Sequence, residues 1–245
     1  QGGLVDRCVI TNNLASYGSA TWGGGAYVNF GTLENCEISG NMMTQDNGGS
    51  YYIWGGGAYL LEGVMRNCNI HDNSSKSSAS YSMAYAGGVY AGRNALIENC
   101  VFKGNEASYV GGAVYSYGES GNNVNITNCR FENNKAYYGG ALYTEYYTDI
   151  VDGVVANNYS TSAGGGIYAN SSNHIVNATI VNNAISESSY AAGIYCPNSN
   201  TVENSVVWGN RSAGINSNIG GYVTVRYTAV EGGYQGVGLT AVGIE

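Results

Sequence analysis

Apolar and polar positions along this chain follow neither the spacing of one helix nor that of one long strand. A small residue recurs at Cys8, Cys36, Cys68, Cys100, Cys129, Gly153, Ala178, Ser205 and Thr228, at intervals of 23 to 32 residues. Three positions before it stands an aliphatic residue or Met (Val5, Leu33, Met65, Ile97, Ile126, Ile150, Ile175, Val202, Val225), and two positions after it an apolar one (Ile10, Ile38, Ile70, Phe102, Phe131, Val155, Ile180, Val207, Val230). An unbroken strand alternates strictly in and out, so a three-residue step marks a corner between two strands. Asn fills that corner at Asn35, Asn67, Asn99, Asn128, Asn177 and Asn204, as expected where the backbone enters the left-handed region. Five positions after the small residue most copies close on another Asn, the run ending at Asn210.

A second signal, Gly-Gly-small-apolar-Tyr, precedes each later copy, from Gly23–Tyr27 through Gly139–Tyr143 to a weakened form at Ala192–Tyr195. Each period therefore holds about three short strands, two kinds of corner and one loop of variable length, with no helical stretch. That pattern predicts an all-β, single-stranded parallel β-helix of about nine coils of 23–32 residues. The repeat runs unbroken, so residues 1–245 are expected to form one solenoid domain. Because the pattern starts and stops within a strand-like stretch, the chain is expected to be a fragment of a longer protein or to have its ends covered by neighbouring domains or subunits.

Composition narrows the function classes. The 38 glycines supply corners, and there is one proline. A net charge of −8 with only nine Lys plus Arg gives no electrostatic footprint for nucleic acid or an anionic membrane, and no apolar run is long enough to span a bilayer. Five of the six cysteines share one repeat position, so they are expected to stack inside the rod as buried thiols that act as small apolar fillers, with Cys196 another core residue. No Cys-x-x-Cys or His partner at ligand spacing points to a metal, and no cofactor is expected.

Phe102–Asn105 (F-K-G-N) and Phe131–Asn134 (F-E-N-N), together with G-G-A-V-Y at Gly111 and G-G-A-L-Y at Gly139, resemble the F-x-x-N and G-G-A-hydrophobic elements of the polymorphic outer membrane protein repeats of chlamydiae. The chain also resembles β-helix repeat proteins of Bacteroidetes. The likeness covers nearly the whole chain as a repeat, although later copies replace Phe by Val or Ile and lose Cys. It implies a right-handed β-helix on a bacterial surface, usually an adhesin passenger, and no catalytic residue. The anchoring barrel of the chlamydial proteins has no counterpart in this sequence.

The residues flanking each motif tyrosine, such as Ala58 with Leu60 and Val89 with Ala91, pair a small with a larger apolar group, as a close-packed interior of fixed volume requires. By alternation, Tyr27, Tyr59, Tyr90, Tyr115, Tyr143, Tyr168 and Tyr195 then point outward as an exposed column, one ring per coil. Long loops after Asn13, Asn41, Asn73 and Asn183 add Tyr17 and Trp22, then Tyr51, Tyr52 and Trp54, then Tyr81 and Tyr85, then Tyr190. Insertions on one side of a solenoid often form its binding face. The expected role is a secreted or cell-surface module that binds a glycan or a partner protein surface through the column and through Tyr51, Tyr52 and Trp54. Against it stand a passive stalk, in which stacked aromatics only stabilise the sheet and Trp22 and Trp54 fold back as clasps, and a polysaccharide lyase or glycoside hydrolase, since pectate-lyase-type enzymes resemble this chain in fold class. Hydrolysis needs paired carboxylates. The outward positions two beyond the tyrosines (Asn29, Leu61, Gly92, Tyr117, Glu145, Asn170, Pro197) hold one, while Asp149 and Asp152 straddle a corner and His71, Asp72 and His174 fit structural roles.

Overall fold

The structure, a computed structural model, describes residues 2–16, 21–45, 52–77, 83–187 and 189–233. The third-quarter coil illustrates the repeat. Val114–Ser116 carries the motif tyrosine, Val124–Thr127 the first aliphatic position, Arg130–Glu132 the core Phe, and Lys135–Tyr138 leads to the next glycines. Each strand pairs in parallel with its counterpart one coil on, so Tyr115 lies beside Tyr143, Ile126 beside Ile150 and Phe131 beside Val155. Tyrosine strands and first strands share a 15-stranded sheet, joined where Ile194–Glu203 runs through both, and the second and third strands form two nine-stranded sheets. Arg211–Ser212 pairs antiparallel with Ile215–Asn216 near the C-terminal end. Among the described residues seven turns carry all four strands, with fewer strands before the first and after the last of them, which corrects the expected nine coils: counting repeat positions includes turns that lack a strand.

The corners are where the sequence pattern places them. Asn35, Asn67, Asn99, Asn128, Asn177 and Asn204 have φ between 47° and 54°, and their amides bond from coil to coil, as from Asn128 Nδ2 to Asn99 Oδ1 at 2.8 Å. A second left-handed corner precedes each closing Asn, at positions such as Asp72, Gly104 and Asn133. At Gly140 the glycine requirement is one of space, since a Cβ there would come within 2.2 Å of the Gly165 carbonyl oxygen.

Leu33, Met65, Ile97, Ile126, Ile150 and Ile175 form one buried row, and Ile38, Ile70, Phe102, Phe131, Val155 and Ile180 another; the two Phe rings stack at 4.9 Å. The cysteine row differs from expectation in two respects. Cys8, on the partial first turn, is exposed, while Cys36, Cys68, Cys100 and Cys129 are buried and free. Nor are these thiols inert fillers. The Cys100 thiol donates to the Glu98 carbonyl at 3.2 Å and accepts the Cys68 backbone N–H at 3.4 Å. Ser205 does the same with Oγ, donating to the Glu203 carbonyl at 2.7 Å and accepting the Ala178 N–H at 3.0 Å, which explains why Ser and Thr substitute for Cys here. Cys196 is buried in a tyrosine strand, and burial pushes its thiol up to about 12.

The closing Asn residues form a ladder that is buried from Asn41 to Asn210 and begins at the exposed Asn13. Asn134 Oδ1 accepts both the Asn105 backbone N–H, at 2.9 Å, and its Nδ2, at 3.0 Å. Asn134 in turn donates to Asn158 in the same way and to the Phe102 carbonyl one coil back, at 3.1 Å. The pattern repeats from Asn13 through Asn41, Asn73, Asn105, Asn134, Asn158 and Asn183 to Asn210, where Asn218 takes over as terminal acceptor at 2.9 Å.

Asn134→Ala leaves two buried Asn105 donors without an acceptor and should lower stability by about 2–4 kcal/mol, read as a shift of the urea midpoint, whereas Cys100→Ser should shift it far less. A thiol reagent added to the native protein should label Cys8 at once and the other five cysteines only after denaturation.

Candidate aromatic binding groove

The motif tyrosines point away from the core because their neighbours point into it: Ala58, Leu60, Val89, Ala91, Val114 and Leu142 are all fully buried. In-register pairing then puts ring on ring. Tyr27–Tyr59, Tyr59–Tyr90, Tyr90–Tyr115, Tyr115–Tyr143 and Tyr143–Tyr168 stack at 4.5 to 5.6 Å within 21° of parallel, and Tyr195 tilts away from Tyr168 by 56°. The column is therefore not the open platform expected of it. Tyr27 is 55% exposed, Tyr59, Tyr90, Tyr143, Tyr168 and Tyr195 are half-buried, and Tyr115 is buried at 8%. Two causes act together: the ring faces are used up by stacking, and a second aromatic row covers the flank.

That second row stands five positions before five of the seven motif tyrosines, at Trp22, Trp54, Tyr85, Tyr138 and Tyr190. Trp22 stacks on Trp54 at 5.8 Å and meets the edge of Tyr59, and Trp54 packs against Tyr85, so the tryptophans clasp the coil as the stalk reading requires. Trp22 is still 48% exposed and Tyr52 45%. Tyr51, like Tyr17 and Tyr81, lies outside the described residues.

The second row is interrupted at Val110 and at Ala163, and a third outward row, two positions beyond the tyrosines, carries a glycine at Gly92; hollows form at Val110 and Gly92. In the second row Val110 takes the aromatic slot between Tyr85 and Tyr138, with which it pairs. The hollow above it, about 270 Å³, is lined by Tyr85, Tyr109, Tyr115, Tyr117 and Tyr143, with Glu145 at its rim. Two positions beyond the tyrosines, Gly92 interrupts the row between Leu61 and Tyr117. A Cβ there would come within 2.6 Å of Leu61 Cδ1, and the missing side chain opens a hollow of about 320 Å³ lined by Tyr59, Tyr90, Tyr117, Arg93 and Glu119. Tyr117 lines both, so the two hollows adjoin along one groove-like face.

Its charges are few and held. Glu145 accepts the Asn170 amide at 2.8 Å, and Arg93 lies 3.7 Å from Glu62 and 3.8 Å from Glu119. Burial first, and then the charge of Glu145, hold the Tyr115 and Tyr143 phenols well above the ordinary range; burial pushes Tyr85 and Tyr168 up to about 12. Elsewhere His174 faces Asp149 at 3.3 Å and His71 bonds Asp72 at 2.8 Å, both at coil corners. Among the described residues no three His, Cys, Asp or Glu side chains cluster as metal ligands would, and no helix is long and apolar enough to cross a membrane.

The stacked parallel coils are matched by a family model, the right-handed β-helix region, over residues 1–152. The chain belongs to the right-handed β-helix family. No curated protein and no solved structure matches it. The β-helix family includes enzymes and non-enzymes, so the groove rather than the fold must carry the functional argument.

Sequence reasoning placed the motif tyrosines on one outward face, which the β-helix retains, and left out Tyr109 and Arg93. Trp or Tyr recurs five before five of the seven motif tyrosines and is missing at Val110 and Ala163; the first of these breaks lies at the hollow.

Tyr115→Ala should cost about 3–5 kcal/mol, as for other buried aromatics, and Tyr27→Ala less than about 1 kcal/mol, compared by denaturant midpoints. The raised phenols also fix a pH dependence. They stay protonated in the fold, while the unfolded chain ionises near pH 10, so their contribution is intact below about pH 10 and is lost as pH rises toward 12 and beyond. Phenolate absorbance should accordingly show a class of tyrosines that ionises only at about 12 or with unfolding.

Proposed function

We propose that this β-helix is a secreted or cell-surface binding module, adhesin-like in use, that holds a glycan or a partner surface along its aromatic face. The observation that carries this reading is the pair of adjoining hollows beside the tyrosine column, aromatic along their walls with Glu145 and the Arg93–Glu119 pair at polar points. Aromatic walls with a few fixed polar groups suit recognition of neutral ligands that offer both apolar and hydroxyl surface. Beyond the groove, Trp22, Tyr27 and Tyr52 extend the same face with exposed ring surface. The resemblance to chlamydial surface repeats supports a place outside the cell, and the acidic balance supports neither nucleic acid nor anionic lipid as partner.

One observation favours a second reading. Glu119 and Glu145 flank Tyr117 in the same groove, and two carboxylates beside a bound sugar are the requirement of a glycoside hydrolase. Arg93 engages Glu119, which leaves Glu145 as the carboxylate outside an ion pair, and binding without turnover accounts for this better.

Retention on a panel of immobilised neutral and acidic polysaccharides and glycoproteins, with product release followed in the same wells, tests both. Retention should be seen without product. It should fall at least about tenfold, about 1.4 kcal/mol, when Trp22, Tyr52 and Tyr117 are replaced together by Ser in a protein that keeps its β-sheet circular dichroism. Unchanged retention in that variant removes the aromatic face from the account, and steady product release establishes the hydrolase instead.

A further inference from the structure

The hollow over Val110 is more particular than a groove for sugars. Its walls meet at steep angles: Tyr85 stands at 90° to Tyr109 and 74° to Tyr115, while Tyr143 continues the stack beneath Tyr115 at 5.6 Å. Aromatic rings therefore bound the space from more than one side. Glu145 supplies the one formal charge among the lining residues, and no Lys, Arg or His shares the hollow with it. The carboxylate is fixed by Asn170 and hydrogen-bonds Tyr143.

The space fits a small guest. Its volume is about 270 Å³, near the lower end of the range for small-molecule pockets. Tyr115 and Tyr143 have stacked neighbours on both faces, so the lining rings outside that stack are Tyr85, Tyr109 and Tyr117. These rings with one carboxylate and no basic group attract a cation that has few hydrogen-bond donors of its own, because the ring quadrupoles and the carboxylate act on it together and no polar donor is left unpaired. A sugar hydroxyl gains less from such walls, and an anion is repelled by Glu145 and by the net charge of −8.

We propose that the hollow formed by Tyr85, Tyr109, Tyr115, Tyr117, Tyr143 and Glu145 is a binding site for a quaternary ammonium group such as that of choline. The proposal rests on the binding reading of the groove and narrows it to a ligand class for one of its two hollows. Ring walls take the methyl groups and Glu145 balances the charge. The site exists because Val110 occupies a slot that is aromatic in the neighbouring coils, so a large side chain there would fill it.

Isothermal titration with choline, ethanolamine and the neutral isostere 3,3-dimethylbutan-1-ol tests the idea on the whole chain. Choline should bind saturably, with ethanolamine and the isostere weaker by at least about tenfold. Glu145→Gln should weaken choline by a similar factor, and Tyr109→Ala and Val110→Phe should abolish its binding, with folding checked by the thermal midpoint. If Val110→Phe fails to fold, Glu145→Gln and Tyr109→Ala carry the test. No saturable choline binding, or an isostere that binds as well as choline, overturns the proposal; polysaccharide retention that survives such a result leaves the broader binding reading standing. Sedimentation with phosphatidylcholine vesicles distinguishes the source of the group. Pelleting that free choline competes away assigns a lipid headgroup, choline binding without pelleting assigns a soluble ligand, and pelleting that choline does not compete with counts against the hollow.

Discussion

The constraint on which this molecule depends is the strict vertical register of its coils, and the interaction that enforces it most specifically is the buried asparagine ladder. A hydrophobic row tolerates some slippage because apolar contact has no direction. An amide whose oxygen accepts two donors from one neighbour, while its nitrogen donates to the next coil and to a carbonyl of the previous one, does not. Asn73, Asn105, Asn134 and Asn158 each make such a set, fully shielded from water. A coil displaced by one residue would bury these groups unpaired, at a cost of about 1–3 kcal/mol for each. The thiol row repeats the logic with weaker partners, which is why Ser205 and Thr228 can stand in for Cys there, while Gly153 and Ala178 at the same position keep only the small volume.

Register, once fixed, determines the surface. Because Tyr59 lies beside Tyr27 and Tyr90, an outward tyrosine in each coil becomes a stack, and an aromatic residue five positions earlier becomes a second stack across the glycine corner. Two continuous rows would make a smooth ridge, consistent with a stalk. Val110 in the second row, and Gly92 two positions beyond Tyr90, instead leave hollows beside the column. The same arrangement thus contributes stability where it is continuous and shape where it is interrupted, and the burial of Tyr115 at its centre shows how far water is excluded there.

Much of the fold was legible in the chain. The three-then-two apolar spacing located the corners, and the left-handed φ of Asn35, Asn67 and Asn99 follows from what Asn tolerates. The inward position of the pairs around each tyrosine was equally readable from volume complementarity. Three things were not. Alternation says which way Tyr115 points but not what lies over it, so its burial, which depends on Tyr85 and Val110 from neighbouring turns, escaped a reading made one strand at a time. Thiols were taken for apolar fillers because their hydrogen bonds go to backbone groups, which sequence does not display. The closing Asn residues served to align the repeat, and their recurrence at a position with no surface role was the available clue to the ladder.

Native-state hydrogen exchange at the backbone amides of Asn41, Asn73, Asn105, Asn134, Asn158 and Asn183, each of which donates to the next ladder oxygen, bears most directly on this account. If the ladder fixes the register, these amides exchange only through global unfolding and rank with the slowest in the protein. Exchange at these positions as fast as at the loop amides flanking the glycine corners would mean that apolar packing alone holds the coils in place, and the ladder would lose its central part.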